Sequence, residues 1–158
     1  MRLKPYLDGV GYPTIFYGHR LTNYLPKESE KGLVLDKLVN DFSVYSDVEL
    51  RFMAEDYLKS DVLKFEAVIY ENVSSNITQG MFDALVNLAF NIGGGAFERA
   101  SNLRRKLNGI TYGNTKTYLD AANHLLKFMN AGGKPNQGLL NRRHRERALF
   151  LSGLDVDI

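Results

Sequence analysis

The first twenty residues alternate between apolar and polar side chains in the manner of β-strands. Within residues 2–8, Leu3, Pro5 and Leu7 fall on one side of the chain and polar side chains fall on the other. Proline within such a run favours a strand at the edge of a sheet. A second β-rich run spans residues 12–17, after a glycine-containing turn. The amino-terminal segment is therefore predicted to form a small β meander.

A helical pattern begins at Ser46. Ser46 and Glu49 have the spacing of a capping box, in which each residue bonds a free backbone amide of the first turn. Apolar residues then recur at helical spacing, at Leu58, Val62, Phe65 and Ile69. We therefore predict a long helix over residues 46–70. The preceding segment, residues 23–45, gives no clear signal, and residues 33–39 fit either a short helix or a strand.

The second half of the chain has the pattern of several helices. Thr78 can cap the most apolar of them, whose apolar residues share one face until Gly93-Gly94-Gly95 ends it. Further helices are predicted at 101–107, 115–129 and 138–151, with residues 131–135 separating the last two.

These patterns together predict one α+β domain over residues 1–158 that is mostly helical. A small β-meander lobe at 1–45 is joined by a long helix at 46–70 to a helical lobe at 71–158.

Composition narrows the chemistry. With 158 residues, of which 44% are hydrophobic, the chain can bury one core of ordinary size. The absence of cysteine excludes disulfides, thiol catalysis and thiolate zinc sites, and three histidines are few for a metal cluster, so neither metal nor cofactor is expected. No apolar run reaches the roughly 20 residues of a membrane helix, and no signal peptide is visible. A soluble protein made in the cytoplasm is therefore expected.

The net charge of +2 is unevenly distributed. Residues 1–95 carry 9 basic and 13 acidic side chains, a balance of −4, whereas residues 96–158 carry 11 basic and 5 acidic ones, a balance of +6. A basic surface attracts polyanions such as nucleic acid, anionic lipid or the acidic polymers of a bacterial envelope. The run from Arg142 to Arg147 is the most basic, but its leucine neighbours and its lack of interleaved aromatics favour an amphipathic helix with a solvated basic face over nucleic-acid recognition.

Three polar residues of the predicted meander are candidates for catalysis. Asp8, Thr14 and His19 lie within twelve residues of one another, where tight turns bring polar side chains to one face. A carboxylate and a hydroxyl can hold one water between them, as an inverting glycoside hydrolase requires. The structural alternative is an Asx-type turn at Asp8, a β-branched strand residue at Thr14 and a local hydrogen bond at His19. Without further context, the residues favour this alternative.

Several segments together carry a resemblance to a known family. They are Arg2–Asp8, Gly11–Ile15, Tyr17–His19, Gln79–Gly93, Ala131–Lys134, Gly138–Leu139, Arg142–Arg143 and Glu146–Phe150. In the same order along the chain, these segments resemble the phage-type lysozymes, the endolysin family. This resemblance implies a lysozyme-like fold, α+β and mostly helical.

The resemblance implies a muramidase that hydrolyses the β-1,4 bond between N-acetylmuramic acid and N-acetylglucosamine in peptidoglycan. Asp8 and Thr14 match the family's catalytic Asp and Thr, which stabilise positive charge on the sugar and position the attacking water. His19, Asn91 and Phe97 are the candidate substrate-binding residues. Peptidoglycan is the expected partner of a monomer that binds no nucleic acid and does not insert into membranes. Such an enzyme is expected in the host cytoplasm until it is released to the cell wall.

The chain also departs from the family pattern. The family's general-acid Glu stands nine positions before its catalytic Asp, and nine positions before Asp8 lies upstream of Met1. Three explanations stay open: an internal or trimmed start, a protein that binds glycan or a partner without cutting, or a substitute acid such as Glu66 or Glu71. In addition, Phe16 stands where the family usually has glycine, and its bulk is expected to narrow the cleft or displace the meander.

Overall fold

The computed structural model describes residues 1–154, so the last four residues of the predicted helical lobe lie outside the described residues. The chain divides into two compact units, Met1–Asp61 and Val62–Ile158. The division falls inside one helix, near the middle of the long helix that was predicted over residues 46–70. Most of the described residues are helical, and the strands are short, as expected for the α+β class.

The first unit contains the predicted meander as a three-stranded antiparallel sheet. Strands β1 (Arg2–Leu7), β2 (Pro13–Phe16) and β3 (His19–Arg20) are hydrogen-bonded in chain order, which puts β1 and its proline at an edge as expected. Three facing pairs define the register near the turns: Tyr6 lies opposite Thr14, Thr14 opposite Arg20, and Ile15 opposite His19.

Two helices complete the first unit. Helix α1 (Lys31–Phe42) occupies the segment whose pattern left helix and strand open, and it has no fully buried residue. Helix α2 (Asp47–Asn72) begins at the predicted capping box: Ser46 N–H donates to Glu49 Oε2 at 2.8 Å, and Glu49 N–H donates to Ser46 Oγ at 3.4 Å. The core of this unit consists of Ile15, Phe16, Leu50 and Ala54, with Leu3, Leu21, Phe42, Met53 and Tyr57 packed around them.

The second unit is a helical bundle around α3 (Gln79–Ile92), the most apolar helix. Thr78 caps it as predicted, since its Oγ1 accepts from Met81 N–H at 3.3 Å, and the helix ends at Gly93, whose φ is +90°. Gly94 does not extend this break, because it begins α4. The remaining elements are α4 (Gly94–Arg99), α5 (Ser101–Asn108), α6 (Thr115–Leu125), β4 (Asn130–Ala131), β5 (Lys134–Pro135) and α7 (Gln137–Leu151).

Helix α6 is four residues shorter than its apolar pattern predicts. The amides of Leu126, Lys127 and Phe128 bond carbonyls three residues back, a tightening that ends the α-helical hydrogen bonding at Leu125. The expected break at 131–135 is the β4–β5 hairpin. Among residues 1–154, no helix has the length and apolar character needed to cross a bilayer, and no group of side chains is arranged to hold a metal ion.

Candidate active site

Asp8 organises the turn between β1 and β2 with one oxygen of its carboxylate. Oδ1 accepts hydrogen bonds from the backbone amides of Val10, Gly11 and Tyr12, at 2.9, 2.8 and 2.9 Å. Gly11 adopts a φ of +102°, a conformation that glycine reaches without steric cost. The turn-forming role considered from the sequence is therefore present. The second carboxylate oxygen of Asp8, Oδ2, takes no part in these three hydrogen bonds and lies 4.0 Å from Nε of Arg20.

Thr14 is joined to Asp8 through a single backbone carbonyl. The oxygen of Tyr12 accepts both the N–H of Asp8, at 2.9 Å, and the hydroxyl of Thr14, at 2.9 Å. Side chains on a strand alternate between faces, and the register puts Thr14 opposite Tyr6 and Arg20, so these three share one face of the sheet. The structure thus brings Asp8 and Thr14 together at one end of the meander, with Thr14 almost fully buried.

Arg20 and Tyr12, which the sequence analysis did not single out, complete this face. The guanidinium of Arg20 lies 3.9 Å from the centre of the Tyr12 ring, a favourable cation–π geometry. It therefore places a positive charge beside the free oxygen of Asp8. The sequence alone did not reveal this position, because it depends on the register in which Arg20 pairs with Thr14.

His19 lies on the opposite face from Thr14, so the prediction that one face would carry all three polar residues is wrong. The reason is the register, in which His19 pairs with Ile15 and its neighbour Arg20 pairs with Thr14. The Nδ1 atom of His19 lies 2.7 Å from Oδ2 of Asp61 in α2, and its ring contacts the Tyr57 ring at a tilt of 39°, with centres 4.3 Å apart. A substrate contact of His19 stays a prediction.

Phe16 is part of the core of the first unit. Its side chain is buried and packs edge-on against Phe42, with ring centres 6.1 Å apart, and against Tyr57 at 5.8 Å. Its φ of +57° is unusual for a residue with a bulky side chain. Phe16 therefore occupies a backbone conformation that favours glycine, and aromatic packing compensates for the strain.

The two candidate residues of the second unit differ in exposure. Asn91 is exposed near the end of α3, where its Oδ1 accepts a hydrogen bond from Nη2 of Arg143 at 2.5 Å. Phe97 has no exposed surface and belongs to the core of this unit. Core packing explains the buried position of Phe97, and its contact with substrate stays a prediction. Glu66 and Glu71 also lie in this unit, on the last part of α2.

The solvated basic face expected on α7 is present at Arg145, which is exposed, but the expectation is wrong for Arg143. Arg143 has no exposed surface and lies 3.1 Å from Oε1 of Glu146, which is itself buried and also accepts from Arg142 Nε at 3.1 Å. Arg142 in turn donates to Oδ1 of Asn87 at 2.8 Å. Burial raises the pKa of the Glu146 carboxyl, against the opposing effect of both arginines, and it lowers the pKa of the Arg143 guanidinium. In the sequence, the acidic residue three positions after Arg143 is the signal that could have predicted this ion pair.

Comparisons with known proteins agree with this architecture. A family model described as phage lysozyme matches residues 1–146. The chain is 44% identical over 152 residues to an endolysin of Bacillus phage PZA and 36% identical over 152 residues to the endolysin of Salmonella phage P22. These alignments cover 95% and 96% of this chain, and 56% and 88% of the respective relatives. A crystal structure of a P22 lysozyme mutant superposes with a TM-score of 0.61 at 32% identity, covering 96% of this chain and 88% of that one.

The chain also matches an endolysin of Bacillus phage B103, with 39% identity over 100 residues. It spans 35% of the length of that relative, just as it spans about half of the PZA endolysin.

Proposed function

This chain belongs to the phage lysozyme family, and we propose that it hydrolyses the β-1,4 bonds between N-acetylmuramic acid and N-acetylglucosamine in bacterial peptidoglycan. Asp8 and Thr14 are the residues to which we assign the water that attacks the sugar. The observation that carries the assignment is their common attachment to the carbonyl oxygen of Tyr12.

The hydrogen bonds of Thr14 and Asp8 suit them to hold a water. The hydroxyl hydrogen of Thr14 is engaged with Tyr12, so Oγ1 can only accept a further hydrogen bond. An ionised Asp8 is also an acceptor, with Oδ2 left after Oδ1 has bonded three amides. A water that donates one hydrogen to each residue keeps a lone pair for attack on the anomeric carbon. Asp8 then accepts a proton as general base, which is the inverting mechanism.

Departure of the leaving sugar requires a general acid that donates a proton to the glycosidic oxygen. The family motif places this acid nine positions before the catalytic Asp, outside residues 1–158. The competing proposal is a protein that binds peptidoglycan, or a partner, through the same surface without cutting it.

Clearing of purified cell walls separates these two functions. We compare the 158-residue chain with a version that carries an added amino-terminal helix ending in Glu-Gly before Met1. Hydrolysis predicts that the extended version clears walls faster by a factor of about 10² to 10⁴, the range that general acid catalysis supplies. If neither version clears walls and both sediment with insoluble peptidoglycan, the binding function is correct. If the unextended chain clears walls without the added helix, a substitute acid is indicated. Glu66→Gln and Glu71→Gln would then test which residue supplies the proton.

Asp8→Asn tests the role of the carboxylate separately from its role in the turn. The amide oxygen of Asn can accept the same three backbone hydrogen bonds, so the turn is expected to keep its structure while the charge is lost. We expect clearing by the extended version to fall by a factor of at least about 10², with an unchanged unfolding temperature. Asp36→Asn, an exposed acid on α1, is the matched control and should change neither quantity.

We also propose that the protein acts as a monomer, released from the host cytoplasm to the wall, without a nucleic-acid partner or membrane insertion. Burial of Arg143, together with the contacts of Arg142 to Asn87 and Glu146, reduces the basic surface available to phosphates. A gel-shift titration with duplex DNA at physiological salt should show no complex. A complex that weakens steeply with added salt would contradict this part of the proposal.

A further inference from the structure

An open cavity of about 460 Å³ lies at the surface of the second unit, between the loop before α3 and the first turn of α6. Its apolar lining includes Ile77, Met81 and Leu154, and its polar lining includes Thr115 and Tyr118. Ligand pockets in proteins have volumes of about 300–1,000 Å³ and combine an apolar wall with a few polar groups. The cavity therefore has the size and the lining of a small-molecule site.

Two helices begin at this cavity. Helix α3 begins behind its cap Thr78, helix α6 begins at Thr115, and both threonines line the cavity. The start of a helix carries a partial positive charge and attracts anions. Neither first turn contains an acidic side chain, and the backbone amides of Thr115 and Lys116 have no acceptor among residues 1–154. Both helix starts therefore keep their positive potential at the cavity.

The hydroxyl of Tyr118 is an independent sign of a missing ligand. The side chain of Tyr118 is only 8% exposed, and its ring belongs to the core of the second unit. Buried tyrosine hydroxyls usually have a hydrogen-bond partner, yet this one has none within residues 1–154. Its oxygen is not sealed in the core, and Tyr118 lines the cavity. The hydroxyl is thus free to donate to a molecule in the cavity.

These groups fit an organic anion with a single charge. Backbone amides and a phenol donate hydrogen bonds, and a carboxylate can only accept them. Lys116 is the single basic residue of the two first turns, and a doubly charged ion such as phosphate would be costly to desolvate against so much apolar surface. A carboxylate on an apolar body places its charge at the helix starts and its body against Ile77, Met81 and Leu154.

We propose that this cavity binds small monocarboxylates with an apolar body, which are held by the Tyr118 hydroxyl and the first turn of α6. The apolar wall supplies most of the affinity, and the donors select the charge. The cavity belongs to the second unit, whereas Asp8 and Thr14 belong to the first. The proposal therefore does not depend on the proposed hydrolysis, and wall clearing does not test it.

Benzoate and benzamide test the selection of charge, because they share a ring and differ in charge. We titrate the 158-residue chain with each and follow the amide NMR signals of Thr115 and Lys116. Benzoate should bind about tenfold more tightly than benzamide, a difference that one charge-assisted hydrogen bond can supply. Acetate carries the same charge without the ring and should bind more weakly than benzoate.

Two variants test the donors. Tyr118→Phe keeps the ring in the core and loses a hydroxyl without a partner, so it should fold as before and bind benzoate about tenfold more weakly. Tyr70→Phe, at an exposed tyrosine of α2, is its control. Lys116→Glu puts an acid in the first turn of α6 and should weaken benzoate binding about tenfold without affecting benzamide. Lys134→Glu, at an exposed lysine of β5, makes the same change in net charge and is its control.

Four results would overturn the proposal. Equal binding of benzoate and benzamide would show that the cavity does not select charge. Acetate that binds as tightly as benzoate would show that the apolar wall contributes nothing. A Tyr118→Phe variant with unchanged benzoate affinity would remove the hydroxyl from the site. Finally, no change in the signals of Thr115 and Lys116 with any of the three compounds would mean that the cavity binds none of them.

Discussion

Nδ1 of His19 and Oδ2 of Asp61 lie 2.7 Å apart although the two residues are 42 positions apart along the chain. The contact joins strand β3 to helix α2 within the first unit, and both side chains are largely shielded from solvent. The contact of the His19 ring with Tyr57, one turn earlier in α2, holds the imidazole in the same place. His19 therefore has a structural role in the first unit.

Asp61→Asn should destabilise the first unit. The substitution removes the charge that strengthens the bond to His19, and we expect the free energy of unfolding to fall by about 1–2 kcal/mol at neutral pH. Asp56→Asn is the matched control, since Asp56 is exposed on the same helix and makes a surface contact with Lys59 at 3.8 Å. Urea unfolding of both variants measures the difference. Equal stability of the two variants would contradict the prediction.

Phe16 should respond to substitution in an unusual order. Phe16→Ala removes the buried ring and keeps the positive φ, with an expected loss of about 3–5 kcal/mol. Phe16→Gly removes the same ring and also the strain, so it should be more stable than Phe16→Ala by about 1 kcal/mol. Thermal unfolding of the two variants and the unaltered chain gives the order. A glycine variant less stable than the alanine variant would show that the strain at this position is negligible.

One substitution, glycine to alanine, should have opposite effects at two helix positions. Gly93 has a φ of +90° at the end of α3, so Gly93→Ala should cost about 1 kcal/mol although the space around it is open. Gly32 lies in the first turn of α1 with an ordinary φ and equally open space. Gly32→Ala should stabilise the protein by about 0.5 kcal/mol. Chemical denaturation measures both, and the same sign at both positions would refute the backbone explanation.

His124 should make the second unit less stable in mild acid. Burial lowers its pKa below the usual value near 6.5, and Lys127 and Lys106 act in the same direction. The unfolded chain then binds more protons than the folded chain just below pH 6.5, so the stability that His124 contributes is present above that pH and is lost as the pH falls through the folded pKa.

Comparison with His124→Gln isolates this effect. The stability advantage of the unaltered chain over the variant should be larger at pH 7.5 than at pH 5.0, as measured by urea unfolding. His144→Gln, an exposed histidine on α7, serves as the control. If the stability advantage of the unaltered chain over His124→Gln grows as the pH falls, the predicted direction of the pH dependence is wrong.

Local patterns were sufficient to predict the elements that depend on neighbouring residues. Strand alternation identified the meander, and the spacing of Ser46 and Glu49 and the position of Thr78 identified two helix starts. The pattern of α1 left helix and strand open because Leu33, Val34 and Leu35 are consecutive apolar residues, and such a short apolar run fits either element.

The parts of the site that were missed depend on distant residues. Burial of Arg143 results from packing against α3, and its contact with Asn91 joins residues 52 positions apart. The face on which His19 lies depends on the register between β2 and β3, in which a shift of one residue exchanges the two faces. Composition and periodicity carry no information about either relationship.

The boundary between the two units lies within the 26-residue helix α2, between Asp61 and Val62. Proteases cut most readily in exposed, irregular segments, and a continuous helix offers none at this boundary. Limited digestion is therefore a poor way to separate the units. Expression of either half alone would cut the helix in the middle, and each fragment would carry a frayed helical end. The exposed turn at Tyr112 and Gly113, between α5 and α6, is a better place to open the chain or to insert a tag.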